Sequence, residues 1–157
     1  MNASVEVEIE GLWREWIADV EAVTQRAARA ALAAAPDRTS GSITVLLSED
    51  EDVAELNHRF RGKAGPTNVL SFPAGPGAGD HLGDLALALG VCRREAEAQG
   101  KRAADHLSHL VVHGVLHLLG MDHQNDAEAE TMEQLERTVL AGLGVPDPYA
   151  SQDDTGH

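Results

Sequence analysis

Several features that direct proteins towards particular functions are scarce or absent in this chain of 157 residues. Cys92 is the only cysteine, so an intrachain disulfide is excluded and a reducing, cytoplasmic location is expected. No apolar run approaches the ~18 residues of a membrane-spanning helix, and the acidic N-terminus does not resemble a signal peptide. Aromatic residues make up 3% of the chain, which is too few for a platform on which bases stack.

Basic residues are also scarce, because 12 Lys and Arg stand against 26 Asp and Glu and give a formal net charge of −14. Taken as a whole, this charge disfavours nucleic-acid binding, which depends on neutralising phosphates. The distribution is uneven, since residues 56–79 contain no acid but include Arg59, Arg61 and Lys63. Such a basic island can engage a phosphate locally, although an ordinary solvated loop has the same composition.

The pattern of apolar residues predicts a single α+β domain over residues 1–150, followed by a disordered tail over 151–157. Alternating apolar residues predict strands near 5–9, 43–47, 68–72 and 82–89. Stripes with a helical period predict helices near 12–35, 48–58, 91–99, 103–119 and 126–140. We therefore expect a small mixed sheet with about five helices packed on it.

The most informative stretch runs from His113 to His123, at the end of the fourth predicted helix. His113 and His117 are four residues apart, so both project from one face of that helix. Gly120 then ends the helix and lets the chain reverse, which can bring His123 round to the other two. Three converging imidazoles with a fourth position left open form the protein half of a catalytic zinc site. The sequence thus predicts a three-histidine metal site at the end of a central helix.

The histidine spacing matches the zinc-protease pattern HExxHxxGxxH, with one difference. Where the proteases have the glutamate that acts as general base, this chain has Gly114, which argues against the ordinary peptidase mechanism. Two other interpretations stay open. The histidines could be core residues, or zinc could be structural and closed by a fourth ligand such as His109 or a carboxylate. Nickel, cobalt, copper and iron also suit histidine ligands. His109 and His106 are interpreted mainly as packing residues or as supports for the ligands.

Several separated segments of the chain carry a resemblance to one known family. These segments are Leu56-Asn57, Arg61-Gly62-Lys63, residues 66–73, Leu82-Gly83-Asp84, His109-Leu110, residues 113–123, Met132, Glu136 and Gly142-Leu143-Gly144. Together they resemble the YbeY family of bacterial endoribonucleases that mature ribosomal RNA. The resemblance implies a zinc-binding α+β fold and a cytoplasmic enzyme that cuts single-stranded RNA. It places that activity in maturation of the small-subunit rRNA 3′ end and in ribosome quality control. It also implies that His113, His117 and His123 bind one zinc ion and that Arg61 acts beside it.

Two routes of RNA cleavage are compatible with the predicted site. Water acidified by zinc can attack the phosphodiester, or the 2′-hydroxyl of the RNA can attack while the metal and Arg61 stabilise the transition state. Asp84, Asp122 and solvent are candidates for the proton shuttle. The expected partner is single-stranded RNA or an rRNA precursor, with ribosomal small-subunit proteins or an assembly GTPase as further possibilities; neither DNA nor a membrane is expected. The alternative functions are a peptidase-like zinc hydrolase and a non-catalytic ribosome-assembly factor.

Overall fold

A mixed sheet of four strands forms the middle layer of the fold in the computed structural model. The structure describes residues 4–34, 41–61, 67–74, 77, 79–119 and 126–148, with only the backbone of Phe60 and Arg61. The strands are β1 (Ser4–Ile9), β2 (Ser42–Ser48), β3 (Val69–Pro73) and β4 (His81–Ala88). Their order in the sheet is β1-β2-β4-β3; β1, β2 and β4 are parallel, and β3 runs antiparallel to β4.

The described residues also form six helices. They are α1 (Trp13–Trp16), α2 (Val20–Ala34), α3 (Asp50–Arg61), α4 (Leu89–Ala98), α5 (Ala103–Leu118) and α6 (Asp126–Gly142). The central helix is α5, which contacts α2, α4, α6, β3 and β4. It takes this place because apolar residues occur on nearly all sides of it, so it buries its length in the interior. The predicted α+β domain with a mixed sheet is confirmed.

The two faces of the sheet are covered differently, because side chains alternate along each strand. On one face, Ile43 and Val45 of β2 and Leu85 and Leu87 of β4 join the main core with α2, α5 and α6. On the other face, a smaller cluster forms where Val53 of α3 meets residues of β3 and β4. The main core therefore lies on the α5 side, and it fixes the position of that helix.

The first predicted helix, over residues 12–35, is wrong in one respect, because the structure divides it into α1 and α2. Ile17 has extended backbone angles, φ −133° and ψ 108°, and ends α1. The indole Nε1 of Trp13 donates to the carbonyl of Ser48 at 2.8 Å, which ties α1 to the end of β2, whereas α2 packs against β1, α5 and α6. The two parts are thus anchored at different places. The apolar period could not reveal this, since Trp13, Ile17 and Val20 keep helical spacing.

Two further predictions concern the ends of the chain and the membrane. No helix in the described ranges has the length and apolar character needed to cross a bilayer. The predicted tail over residues 151–157 lies outside the residues that the structure describes.

Candidate metal centre

The last turns of α5 carry two histidines whose ring nitrogens converge. The Nε2 atoms of His113 and His117 are 3.1 Å apart, and their rings meet nearly edge to face, with centroids separated by 4.6 Å. Two nitrogens that bind one tetrahedral zinc ion at about 2.05 Å each lie about 3.3 Å from one another. The spacing of this pair, hereafter the histidine pair, therefore fits two ligands of one metal ion.

A buried carboxylate from α6 contacts His113, one member of the histidine pair. Glu136 is completely buried, with Oε2 2.5 Å from Nδ1 of His113 and Oε1 3.2 Å from Nε2 of His109. An ionised carboxylate only accepts hydrogen bonds, so beside ionised Glu136 the Nδ1 atom of His113 carries the proton and the lone pair of its Nε2 faces His117. A carboxylate behind a ligating histidine fixes the ring and strengthens it as a ligand.

Glu136 is the site residue that reasoning from the pattern of residues did not identify, although the family resemblance included it. It lies on the inward face of α6, which also buries Met132, Val139 and Leu140. An acid between apolar residues at helical spacing is the signal that could have revealed it, because buried carboxylates are rare without a partner. The sequence alone could not say which basic group it would meet.

Close packing explains why the position after His113 is glycine. A Cβ atom on Gly114 would lie 2.8 Å from Cδ2 of Leu85 and 3.4 Å from Cγ2 of Val69. The hydroxyl of Ser71 also donates to the Gly114 carbonyl at 3.4 Å. This side of α5 therefore lies directly against β3 and β4. A glutamate here would enter the sheet, so the protease-type general base has no room at this position.

Asp84, one candidate for the proton shuttle, lies on the opposite face of the sheet from the histidine pair. Its neighbour Leu85 faces α5, so the side chain of Asp84 points away from that helix. It lies 3.0 Å from Nε2 of His81, whose Nδ1 is 3.1 Å from the hydroxyl of Ser42. Asp84 is therefore not positioned to exchange a proton with a substrate at the histidine pair. Asp122 lies outside the described residues.

His106 is a packing residue, one of the two roles expected for it. It is almost fully buried, and its Nε2 lies 3.0 Å from Oε1 of Glu95. Glu95 also accepts hydrogen bonds from the amide of Asn68 at 3.1 and 3.2 Å. Burial lowers the pKa of His106, with Glu95 opposing that effect. These contacts join α4, α5 and the segment that leads into β3.

Two of the four predicted site residues cannot be located in detail. His123 lies outside the described residues, and the side chain of Arg61, the last residue of α3, is not described. Within the described part of the chain, no group of three or more His, Cys, Asp or Glu side chains could hold a metal ion. The structure therefore brings together His113 and His117, while the third ligand and the arginine remain predictions.

The fold and the histidine pair define an α+β protein with a candidate metal centre on its central helix. The model of the family described as Endoribonuclease YbeY matches residues 5–144, and the chain belongs to this family. A protein of Maricaulis maris named Endoribonuclease YbeY is 58% identical over 131 residues, which cover 83% of this chain and 82% of the relative. Another so named, from Paramagnetospirillum magneticum, is 47% identical over 165 residues and covers 97% and 100% of the two chains.

A solved structure shares the same fold. The solution structure of TM1509 from Thermotoga maritima superimposes with a TM-score of 0.57 over 92% of this chain and 98% of the other. The sequences are 22% identical, so this similarity concerns the fold alone. The family membership confirms the resemblance inferred from the separated sequence segments.

Proposed function

We propose that this chain is a zinc-dependent, single-strand-specific endoribonuclease of the cytoplasm. In this proposal it acts in maturation of the 3′ end of small-subunit rRNA and in ribosome quality control. His113, His117 and His123 hold one zinc ion, and Arg61 acts on the phosphate beside it. The observation that carries the proposal is the convergence of two Nε2 atoms at 3.1 Å in front of a buried carboxylate. Membership of a family described as endoribonucleases supports the choice of RNA as substrate.

The residues of the chain have separate tasks in this proposal. When bound, zinc supplies positive charge for the scissile phosphate and acidifies water to a pKa of about 7. His113 and His117 direct their lone pairs towards the ion, and Glu136 keeps the proton of His113 on the opposite ring nitrogen. The planar guanidinium of Arg61 suits two phosphate oxygens at once. Because the leaving group in RNA cleavage is an alkoxide, solvent can protonate it, and a glutamate at position 114 is not needed.

The groove on the face of the sheet opposite α5 is poorly suited to binding phosphates. The opposite face has a groove of about 550 Å³, and its lining includes the acidic side chains of Glu8 and Asp84. Acid at that groove repels phosphates. Two basic residues already contact acids: Arg94 pairs with Asp50, and Arg59, a member of the basic island, pairs with Glu55. Binding to RNA then depends on zinc and on the basic island around Arg61.

Cleavage of a labelled single-stranded RNA from the 3′ end of a small-subunit rRNA precursor tests the proposal. Zinc-loaded wild type should cut it, and His117→Ala and Arg61→Ala should reduce the rate at least about 100-fold. His81→Ala is the matched control, because His81 lies at the start of β4 and contacts Ser42 and Asp84 instead of the histidine pair. Circular dichroism should show the same fold in all four proteins.

The outcomes separate this function from the two alternatives. Cutting that persists unchanged in both His117→Ala and Arg61→Ala would contradict the proposal and indicate a contaminating nuclease. Zinc binding without cutting by wild type would favour a non-catalytic ribosome-assembly factor. Chelator-sensitive hydrolysis of a denatured protein would favour a peptidase, although the packing of Gly114 against Leu85 and Val69 argues against that activity.

A further inference from the structure

Three histidines follow one another along the same face of α5 at intervals of four residues. His109 and His113 form one pair of the type HxxxH, and His113 and His117 form another. Spacing alone makes these pairs equivalent, because both place two imidazoles one turn apart. The structure treats them differently: the ring centroids of His109 and His113 are 6.2 Å apart, whereas those of His113 and His117 are 4.6 Å apart.

We propose that Glu136 is the positioning residue that selects His113 and His117, instead of His109 and His113, as the pair that binds the metal. It does so by imposing opposite tautomers on its two histidine neighbours. The inference rests on the proposed zinc site and adds the residue that determines which histidines of α5 bind the metal.

Each oxygen of Glu136 determines where one histidine keeps its proton. Oε1 lies 3.2 Å from Nε2 of His109, and Oε2 lies 2.5 Å from Nδ1 of His113. With Glu136 ionised, the carboxylate only accepts hydrogen bonds, so in this proposal both of these nitrogens carry protons. A protonated ring nitrogen has no lone pair for a metal. His109 thus cannot offer Nε2 as a ligand, whereas His113 keeps its Nε2 lone pair on the side of His117.

Burial makes this selection rigid. Glu136 has no exposed surface, and Met132 and Leu140, one turn to either side of it on α6, are also completely buried. The carboxylate therefore cannot rotate away from its two imidazoles without disturbing the main core. Water cannot easily replace the carboxylate as the hydrogen-bond partner of the two imidazoles, because Glu136 is enclosed between α5 and α6.

A glutamine at position 136 would test the selection at almost constant shape. Its amide has one accepting oxygen and one donating nitrogen, so it can satisfy only one of the two protonated ring nitrogens. Either His109 or His113 must then change its tautomer. A residue with a purely structural role would leave the tautomers as they are, so this measurement distinguishes positioning from packing.

The experiment combines ring tautomers with zinc affinity. Long-range proton–nitrogen NMR spectra of the metal-free protein should show a protonated Nε2 in His109 and a protonated Nδ1 in His113. Competition with a chromophoric chelator should show a loss of zinc affinity of about 10–100-fold in Glu136→Gln, together with one changed tautomer. Glu95→Gln is the matched control, since Glu95 contacts His106 of the same helix; it should leave zinc affinity and both tautomers unchanged.

Replacing His109 in two backgrounds tests whether Glu136 prevents His109 from binding the metal. In wild type, His109→Ala should change zinc affinity by less than about threefold, because His109 is not a ligand. In a Glu136→Ala background, where His109 is released, the same change should cause a further loss of affinity. This non-additive result is expected only if Glu136 keeps His109 away from the metal.

The possible outcomes distinguish this inference from the proposed function. Like tautomers for His109 and His113 in wild type would overturn the inference, and this measurement needs no variant to fold. Wild type that binds zinc while Glu136→Gln binds equally well, with unchanged tautomers, would overturn the inference and leave the function standing. Wild type that binds no zinc would contradict the function and the inference together.

Discussion

Two carboxylates reach the histidines of α5 from different sides, and their surroundings differ. Glu95 of α4 contacts His106 in the first half of the helix, and Glu136 of α6 contacts His109 and His113 further along. The Nδ1 atom of His106 is enclosed and has no hydrogen-bond partner among the described residues. The far nitrogen of His113 instead faces His117, and the His113 side chain is 23% exposed.

The difference shows what separates a packing histidine from a candidate ligand. Both regions have a carboxylate on one ring nitrogen, so that contact alone does not identify a metal centre. What matters is the opposite nitrogen. The opposite nitrogen of His106 is buried and has no hydrogen-bond partner among the described residues. The opposite nitrogen of His113 faces an imidazole nitrogen of His117, and this place is partly exposed, so an ion can enter.

The largest expected effect comes from removing one histidine from each region. His113→Ala should lower zinc affinity at least about 100-fold, because it removes a ligand and releases Glu136. His106→Ala should change zinc affinity by less than about threefold, since its ring nitrogens have no route to the ion. Competition titrations on both variants check this, with circular dichroism to confirm folding. Equal losses in the two variants would remove the distinction between the regions.

Removal of the metal should have the next largest effect. At a zinc concentration about 100 times the dissociation constant, binding adds about 2.7 kcal/mol to the free energy of unfolding. Chelation should therefore lower the melting temperature of wild type by several degrees. His106→Ala should keep this difference and His113→Ala should lose it. A difference that persists in His113→Ala would mean that zinc stabilises the domain from another place.

A smaller effect on the free energy of unfolding is expected where α5 packs against the sheet at Gly114. The same substitution at Gly142 of α6 should change this free energy in the opposite direction. Gly114→Ala should lower the free energy of unfolding by about 1–3 kcal/mol, because its Cβ would meet Leu85 at 2.8 Å. Gly142→Ala at the end of α6 is the matched control. A Cβ there meets nothing within 4 Å, so that change should raise the free energy by up to about 1 kcal/mol. Urea unfolding measures both, and stabilisation by Gly114→Ala would show that the packing is looser than described.

The smallest expected effect concerns the pH dependence that His106 gives to stability. Burial lowers its pKa, while Glu95 opposes this and Lys101 and His109 contribute in the same direction as burial. The unfolded chain then binds the proton more readily than the folded one, so stability falls as the pH drops below about 6.5. Urea unfolding at pH 7.5 and 5.5 should show a smaller loss in His106→Asn than in wild type. An equal loss would assign the acid sensitivity to other groups.

The parts of the fold and site that could be predicted are those encoded over short distances. The alternation in β2 and β4 and the apolar stripe of α5 gave the mixed sheet and its central helix, and the spacing of His113 and His117 gave the converging pair. The break at Ile17 could not be predicted, because the apolar spacing continues across it and the bond between Trp13 and Ser48 joins residues far apart in the chain. The role of Glu136 also depends on tertiary packing, since only the docking of α6 on α5 brings it to two histidines.

The enclosure of α5 has a consequence for how the site is maintained over time. This helix is in contact with three other helices and two strands, and Val111, Val112 and Val115 beside the histidines are completely buried. Backbone amides in such a place exchange hydrogen with solvent mainly when the whole domain opens. His113 and His117 thus share the lifetime of the folded state, and they keep their spacing for as long as the domain stays folded.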